Sequence, residues 1–240
     1  MAGKGVSFLD LDFVHVEGWY EFYVNSPITT DKPKMPLRKI QWTRPQSAWA
    51  LWHITETEAD LAGDDPCPAD ITNPIKRLEW QAGRAVLQHL AEEAGLTFSG
   101  IWKDNRGKPF LKNLPHHISL SHSYPYVAAQ LSSVRSVGID IEQPKEKLLK
   151  VAHRVFSSTE MQDAGIDPVK NCIYWCAKEA LYKIYGKRGM SFIENLRIEP
   201  FDLAVKGIIT GKISMPDLNE HVLLSYEAAP DYVLVATLIL

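Results

Sequence analysis

Two carboxylates sit two residues apart in the stretch Val137-Gly-Ile-Asp-Ile-Glu142. Side chains alternate across a strand, so Asp140 and Glu142 share one face, about 7 Å apart, while Ile139 and Ile141 point to a core. Like charges held that close call for a positive partner. Further along, Asn171-Cys-Ile-Tyr-Trp-Cys-Ala-Lys-Glu-Ala-Leu-Tyr-Lys-Ile184 has the periodicity of a helix. Ile173, Cys176, Ala177, Ala180, Leu181 and Ile184 form a buried stripe at spacings of three and four, flanked by Trp175, Lys178, Glu179, Tyr182 and Lys183. Taken with Asp140 and Glu142, Glu179 is a third hard oxygen ligand of the kind Mg²⁺ prefers, and Lys178 and Lys183 add positive charge for a phosphorylated substrate. Each piece has a plainer reading. The acids fit an exposed strand, and Glu179 with Lys183 fits a solvated helical ion pair.

The elements that must position these residues carry their own signals. Asn73-Pro74 and Asp167-Pro168 each place a capping side chain before a proline in a first helical turn, and Gly95 and Gly186 mark the ends of those helices. Thr55-x-x-Glu58 and Ser157-x-x-Glu160 both match a capping box. The segments "HISLSHSYPYVAAQLSS" and "HVLLSYEAAPDYVLVATL" both read as two strands joined by a turn. These echoes predict an α+β fold of two similar halves, residues 1–135 and 136–240, related by a pseudo-twofold. Chance similarity is the alternative. A cleft between two halves is a natural ligand site.

A net charge of -3 and a pI near 6.2 argue against a general nucleic-acid binder. Three cysteines are too few for a disulfide framework and suit a reducing compartment. Cys172 and Cys176, four apart on the helix, read as packing residues rather than metal ligands. Neither "FLDLDFVHV", broken by aspartates and alternating like a strand, nor the short "YVLVATLIL" is a membrane span; the second reads as a buried strand. The expectation is a cytoplasmic protein acting on neither membrane nor nucleic acid.

Gly138-Ile-Asp140-Ile-Glu142, Phe156-Ser-Ser-Thr-Glu160 and Trp175-Cys-Ala-Lys178-Glu179-Ala-Leu-Tyr-Lys183 together resemble the 4'-phosphopantetheinyl transferase superfamily, in its surfactin-type branch. Gly107-Lys108-Pro109, Ser119-Leu-Ser121-His122 and the cluster of Arg77, Glu79 and Arg84 extend the resemblance into the first half. It implies a pseudo-twofold α+β fold and transfer of the phosphopantetheine arm of coenzyme A to a serine of an apo acyl or peptidyl carrier protein, releasing adenosine 3',5'-bisphosphate. The first half would be the coenzyme A 3'-phosphate and adenine side, and the second half the metal-binding and catalytic side. By the same resemblance, Asp140, Glu142 and Glu179 would hold Mg²⁺, with Mn²⁺ as the alternative ion. Glu179, Lys183 and Lys178 would be catalytic, Glu179 as base or through a metal-bound water. Arg77, Arg84, Lys108, Pro109, Ser121, His122, Lys178 and Lys183 would bind coenzyme A, with further contacts from Lys34, Arg38 or Arg44. Glu160 is either a supporting group or a helix cap.

Lys147, Lys150 and Arg154, three and four apart, would make one basic helix face for an acidic carrier. The self-contained halves suggest a monomer. No glycine-rich phosphate loop occurs. Two other readings stay open: a Mg²⁺-dependent phosphohydrolase or nuclease, and a non-catalytic module that binds coenzyme A or a carrier.

Overall fold

A computed structural model describes residues 37–63 and 65–239, and the backbone alone of residues 15–16 and 19–22. The strand expected in "FLDLDFVHV" lies almost wholly outside the described residues, as does Lys34.

Strands β1 (His15–Val16), β2 (Trp19–Phe22), β3 (Leu37–Arg44) and β4 (Ser47–His53) lead to helix α1 (Pro74–Glu93). They are followed by β5 (Ile101–Lys103), β6 (Pro109–Leu111), β7 (His117–Ser123) and β8 (Tyr126–Ser132). Among the described residues these strands form one antiparallel sheet in the order β1-β2-β3-β4-β8-β7-β6-β5. Then come β9 (Ile139–Glu142), the short helix α2 (Lys147–Val151), a 3-10 turn at Ala152–Arg154, and helices α3 (Ser158–Ala164) and α4 (Pro168–Tyr185). Strands β10 (Leu196–Ile198), β11 (Lys206–Met215), β12 (Leu218–Ala228) and β13 (Val233–Thr237) close a second sheet, ordered β10-β11-β12-β13-β9. The fold is α+β, as the sequence predicts.

Local chemistry explains the two long helices. Asn73 accepts a hydrogen bond from the Lys76 amide at 3.2 Å, and Asp167 accepts from the amides of Val169 and Lys170 at 2.8 and 3.0 Å. Each cap satisfies donors that a helix start leaves free. Gly186 ends α4 in the left-handed region (φ 64°), which costs glycine least. The capping box at Ser157 and Glu160 is formed and opens α3. The one expected at Thr55 and Glu58 is not. That segment is a turn in which the Thr57 hydroxyl donates to Asp60, and Glu58 is drawn instead to Arg77 of α1. The internal echo therefore holds for the capped helices and the hairpins, and fails between them.

Strand β4 is buried on both faces. Ala48, Ala50 and Trp52 pack with Val86, Leu87 and Leu90 of α1, while Trp49 and Leu51 pack with Ile139, Ile141, Leu234 and Ala236 of the second sheet. A strand sandwiched this way has no polar face, which is why "SAWALW" shows no alternation. On its other side the second sheet packs on α4, whose Cys172, Ile173, Cys176, Ala177, Ala180 and Leu181 are fully buried. The cysteines are free and serve as packing residues. Among the described residues no helix is long and apolar enough to cross a membrane.

Candidate active site

The site is built where β9 crosses α4. A Cβ placed on Gly138 would lie 1.9 Å from the Ala180 carbonyl oxygen, so only glycine lets the strand approach the helix this closely. Two residues further on, Asp140 comes down beside Glu179 and Lys183, which stand one residue before and three residues after Ala180 on α4.

Alternation along β9 works as expected. Ile139 and Ile141 enter the core between the sheets, while Asp140 and Glu142 turn to the other face. There they meet a matching pair from β7. The Ser121 hydroxyl donates to Asp140 Oδ1 at 2.6 Å and the Ser123 hydroxyl to Glu142 Oε2 at 3.0 Å. From α4, Lys183 Nζ donates to Asp140 Oδ1 at 2.7 Å and to the Ile139 carbonyl at 2.7 Å. Asp140 thus has the Lys183 ammonium as its positive partner, while Glu142 is met by the Ser123 hydroxyl.

One charge does not balance three carboxylates. Among the described residues the Glu179 carboxyl has no hydrogen-bond partner, and it is pushed up to about 7, first by burial and then by Asp140 and Glu142, against the opposing pull of Lys183. Asp140 Oδ2 is buried and has no hydrogen-bond partner among the described residues. An unpartnered carboxylate oxygen, a buried acid held near neutral pH and a neighbouring acid make a donor set of the hard type that suits Mg²⁺. The residues fit such an ion in chemistry. Their side chains do not already converge as a three-ligand set among the described residues, and Lys183 lies against Asp140.

Lys178 is a correction. Its side chain is fully buried and turned away from Asp140, with Nζ 2.6 Å from Glu160 Oε2. It also donates to the carbonyls of Val155, Phe192 and Leu196 at 2.8, 2.8 and 3.0 Å. A buried ammonium with that many acceptors is a structural anchor. Glu160 serves both the cap and this anchor, and its Oε1 also accepts the Ile198 amide at 2.8 Å.

The expected coenzyme A residues separate into two groups. Lys108 and Pro109 line a cavity of about 210 Å³ shared with Arg106, Lys183, Lys187 and Arg188. Lys108 Nζ bonds Ser136 Oγ at 2.8 Å and the Ile184 carbonyl at 3.2 Å, where a cation meets the negative end of α4. Arg77 and Arg84 lie elsewhere. Arg77 is paired with Glu58 and donates to the Ile71 carbonyl. Arg84 stacks on Trp80, with Cζ 3.1 Å from the ring centroid, and lines a separate cavity of about 200 Å³ with Asp65. His122, between Ser121 and Ser123, points to the opposite face of β7, toward α1, where its Nδ1 is 3.2 Å from Glu79 Oε2. Arg106, Lys187 and Arg188 were not singled out by sequence. They meet only because the β5–β6 turn folds against the end of α4, and no spacing rule spans those segments. Lys147, Lys150 and Arg154 are all exposed, beside the strand that carries the acids.

Comparison with known proteins agrees with this geometry. A family model described as the 4'-phosphopantetheinyl transferase superfamily matches residues 136–235. The 4'-phosphopantetheinyl transferase Sfp of Bacillus subtilis (strain 168) is 26% identical over 220 residues, covering 89% of this chain and 88% of the relative. The 4'-phosphopantetheinyl transferase psf-1 of Bacillus pumilus is 37% identical over 95 residues, 37% of this chain and 40% of the relative. The 4'-phosphopantetheinyl transferase AcpT of Escherichia coli (strain K12) is 34% identical over 119 residues, 46% of this chain and 59% of the relative. The chain is thus similar to the 4'-phosphopantetheinyl transferase superfamily, by the family model over residues 136–235 and by these relatives over most of its length. The likeness to Sfp runs along nearly the full length of both chains.

Proposed function

We propose that the protein transfers the phosphopantetheine arm of coenzyme A to a serine hydroxyl of an apo carrier protein. The serine oxygen forms a bond to the β-phosphorus of coenzyme A, the pyrophosphate P–O bond breaks, and adenosine 3',5'-bisphosphate leaves. The observation that carries this reading is the carboxylate–ammonium cluster of Asp140, Glu179 and Lys183, with Asp140 Oδ2 unpartnered among the described residues, in a chain similar to this superfamily.

Asp140, Glu142 and Glu179 would hold a divalent cation, Mg²⁺ or alternatively Mn²⁺. When bound, such an ion neutralises charge on the pyrophosphate as the leaving group departs. Lys183 holds Asp140 in place and also lines the cationic cavity, so its ammonium is positioned to follow negative charge from carboxylate to phosphate. Glu179 accepts the serine proton, a role suited to a carboxyl whose value is near neutral pH. Arg106, Lys108, Lys187 and Arg188, with Pro109 beside them, offer a cationic lining for the bisphosphate end.

The reading treats residues 1–135 and 136–240 as two functional halves, with the cationic cavity on the seam between them. Exposed Lys147, Lys150 and Arg154 form the docking face for an acidic carrier, steering encounter electrostatically. It further includes a monomeric enzyme in a reducing, cytoplasmic compartment, the latter supported by the free cysteines. Chromatographic detection of adenosine 3',5'-bisphosphate tests the reaction. Release must require both coenzyme A and an apo carrier with its serine intact; release without a carrier would identify a hydrolase instead.

A further inference from the structure

Strand β9 carries two of the three carboxylates, and its start is held from two sides. On one side Gly138 runs against the Ala180 carbonyl of α4. On the other lies the sheet of the first half, where β7 and β8 place Ser119 directly opposite Gln130. These two and Thr237 of β13 are almost wholly buried, at 3%, 0% and 1% exposure. They stand next to the apolar layer between the sheets, which includes Ala128, Ile139 and Ala236. Polar side chains buried there cost free energy unless their donors and acceptors find partners.

Here they find one another and the backbone. Gln130 Nε2 donates to the Thr237 carbonyl at 2.7 Å, and the Thr237 hydroxyl donates to Gln130 Oε1 at 3.2 Å. The same hydroxyl accepts the Gly138 amide at 3.1 Å, and Ser119 Oγ accepts the Ile139 amide at 3.1 Å. The Thr237 amide donates to the Gly138 carbonyl at 2.9 Å, which closes the network. Apolar packing has no direction, so it would bury the same surface without fixing how far the strand slides. A slip of one residue would turn Asp140 and Glu142 into the core. Directional bonds to Gly138 and Ile139 set that register immediately before Asp140.

We propose that Gln130 and Thr237 are positioning residues for the candidate active site: a buried polar clasp through which the first half fixes β9, and with it Asp140, against α4. They act through the backbone of β9. The inference rests on the reading that Asp140, Glu142 and Glu179 hold a divalent cation.

The test compares the wild type with Thr237→Val, Thr237→Ser and the double variant Gln130→Met/Thr237→Val. Three quantities are read. They are hydrogen exchange at the Gly138 amide, Mn²⁺ binding in the presence of coenzyme A by loss of the free-ion paramagnetic resonance signal, and the cation dependence of carrier modification. Thr237→Val keeps the shape and removes the hydroxyl. It should speed exchange at Gly138 and weaken Mn²⁺ by roughly tenfold, the usual weight of a group that supports a metal ligand from behind. The cation concentration for half-maximal transfer should rise by the same factor, with kcat at saturating cation little changed. Thr237→Ser keeps the hydroxyl and should behave as the wild type. The double variant strands no polar side chain, so it should fold even where Thr237→Val does not, and should show the same deficit. Wild-type Mn²⁺ affinity in either folded variant overturns the clasp as a positioning device, as does a deficit that Thr237→Ser shares in full. Failure of both to fold would make the network a requirement of the fold alone, and overturns it too. A wild type that neither binds Mn²⁺ nor modifies a carrier overturns the functional reading instead.

Discussion

Lys183 Nζ lies 2.7 Å from Asp140 Oδ1, joining helix α4 to strand β9 across the candidate active site. The contact resolves part of the repulsion among Asp140, Glu142 and Glu179, and leaves the rest in Glu179, whose carboxyl sits near 7. Replacing Lys183 with Met removes the one cause that lowers the Glu179 value. The Glu179 titration, followed by carboxyl NMR, should move upward, and transfer should fall by at least about tenfold through loss of a charge that stabilises the leaving group. An unmoved titration would show that Lys183 and Glu179 are not electrostatically coupled.

Stability should carry the same signature. Glu179 is raised from the usual 4.5 to about 7 in the folded protein. Its protonated form is the one the fold favours, so its contribution is fully present below about 4.5 and is lost as pH rises through about 7. In Glu179→Gln that slope should flatten, leaving the variant relatively more stable at pH 8 than at pH 5, as read by denaturant unfolding at both pH values. Added Mg²⁺ should raise the melting temperature of the wild type at pH 8 and do so much less for the variant.

Lys178 separates a structural role from a catalytic one. Its ammonium is held by Glu160 and three backbone carbonyls, with both ionic side chains buried. Lys178→Met leaves Glu160 buried without its counter-charge and should cost about 3–5 kcal/mol of folding free energy. Urea unfolding would measure it. A variant of native stability that has lost coenzyme A affinity would return Lys178 to the phosphate site.

Gly138→Ala tests the crossing itself. With a Cβ 1.9 Å from the Ala180 carbonyl oxygen, the strand must move off the helix, at a cost of about 1–3 kcal/mol or more. The displacement carries Asp140 away from Lys183, so activity should fall even at temperatures where the variant remains folded, as circular dichroism and transfer assays together would show.

Reversing charge at Lys147 and Arg154 should raise KM for an acidic carrier and weaken the salt dependence of the rate, with coenzyme A affinity unaltered. Identical carrier kinetics at low salt would remove this face from the docking surface.

Much of this was legible in the chain because the signals are local. A capping Asn or Asp before proline needs only its own helix, and the shared face of Asp140 and Glu142 follows from strand periodicity. The direction of Lys178 was not legible. It lies at the margin of the buried stripe, and what draws it inward is a set of acceptors from residues 155, 160, 192 and 196, which sequence spacing does not bring together. Thr55 and Glu58 matched a cap, but Arg77 competes for the Glu58 carboxylate and the segment forms a turn. The cationic cavity likewise joins residues 106–109 to residues 183–188, a tertiary fact with no local trace.

The central claim is that this carboxylate–ammonium cluster moves phosphopantetheine to a carrier serine with a divalent cation. The most direct measurement is the intact mass of an apo carrier protein after incubation with the enzyme, coenzyme A and MgCl₂. The account predicts a gain of one phosphopantetheine, abolished by EDTA and absent with Asp140→Ala or Glu179→Ala. A full gain in EDTA, or with both carboxylates removed in folded variants, would contradict it.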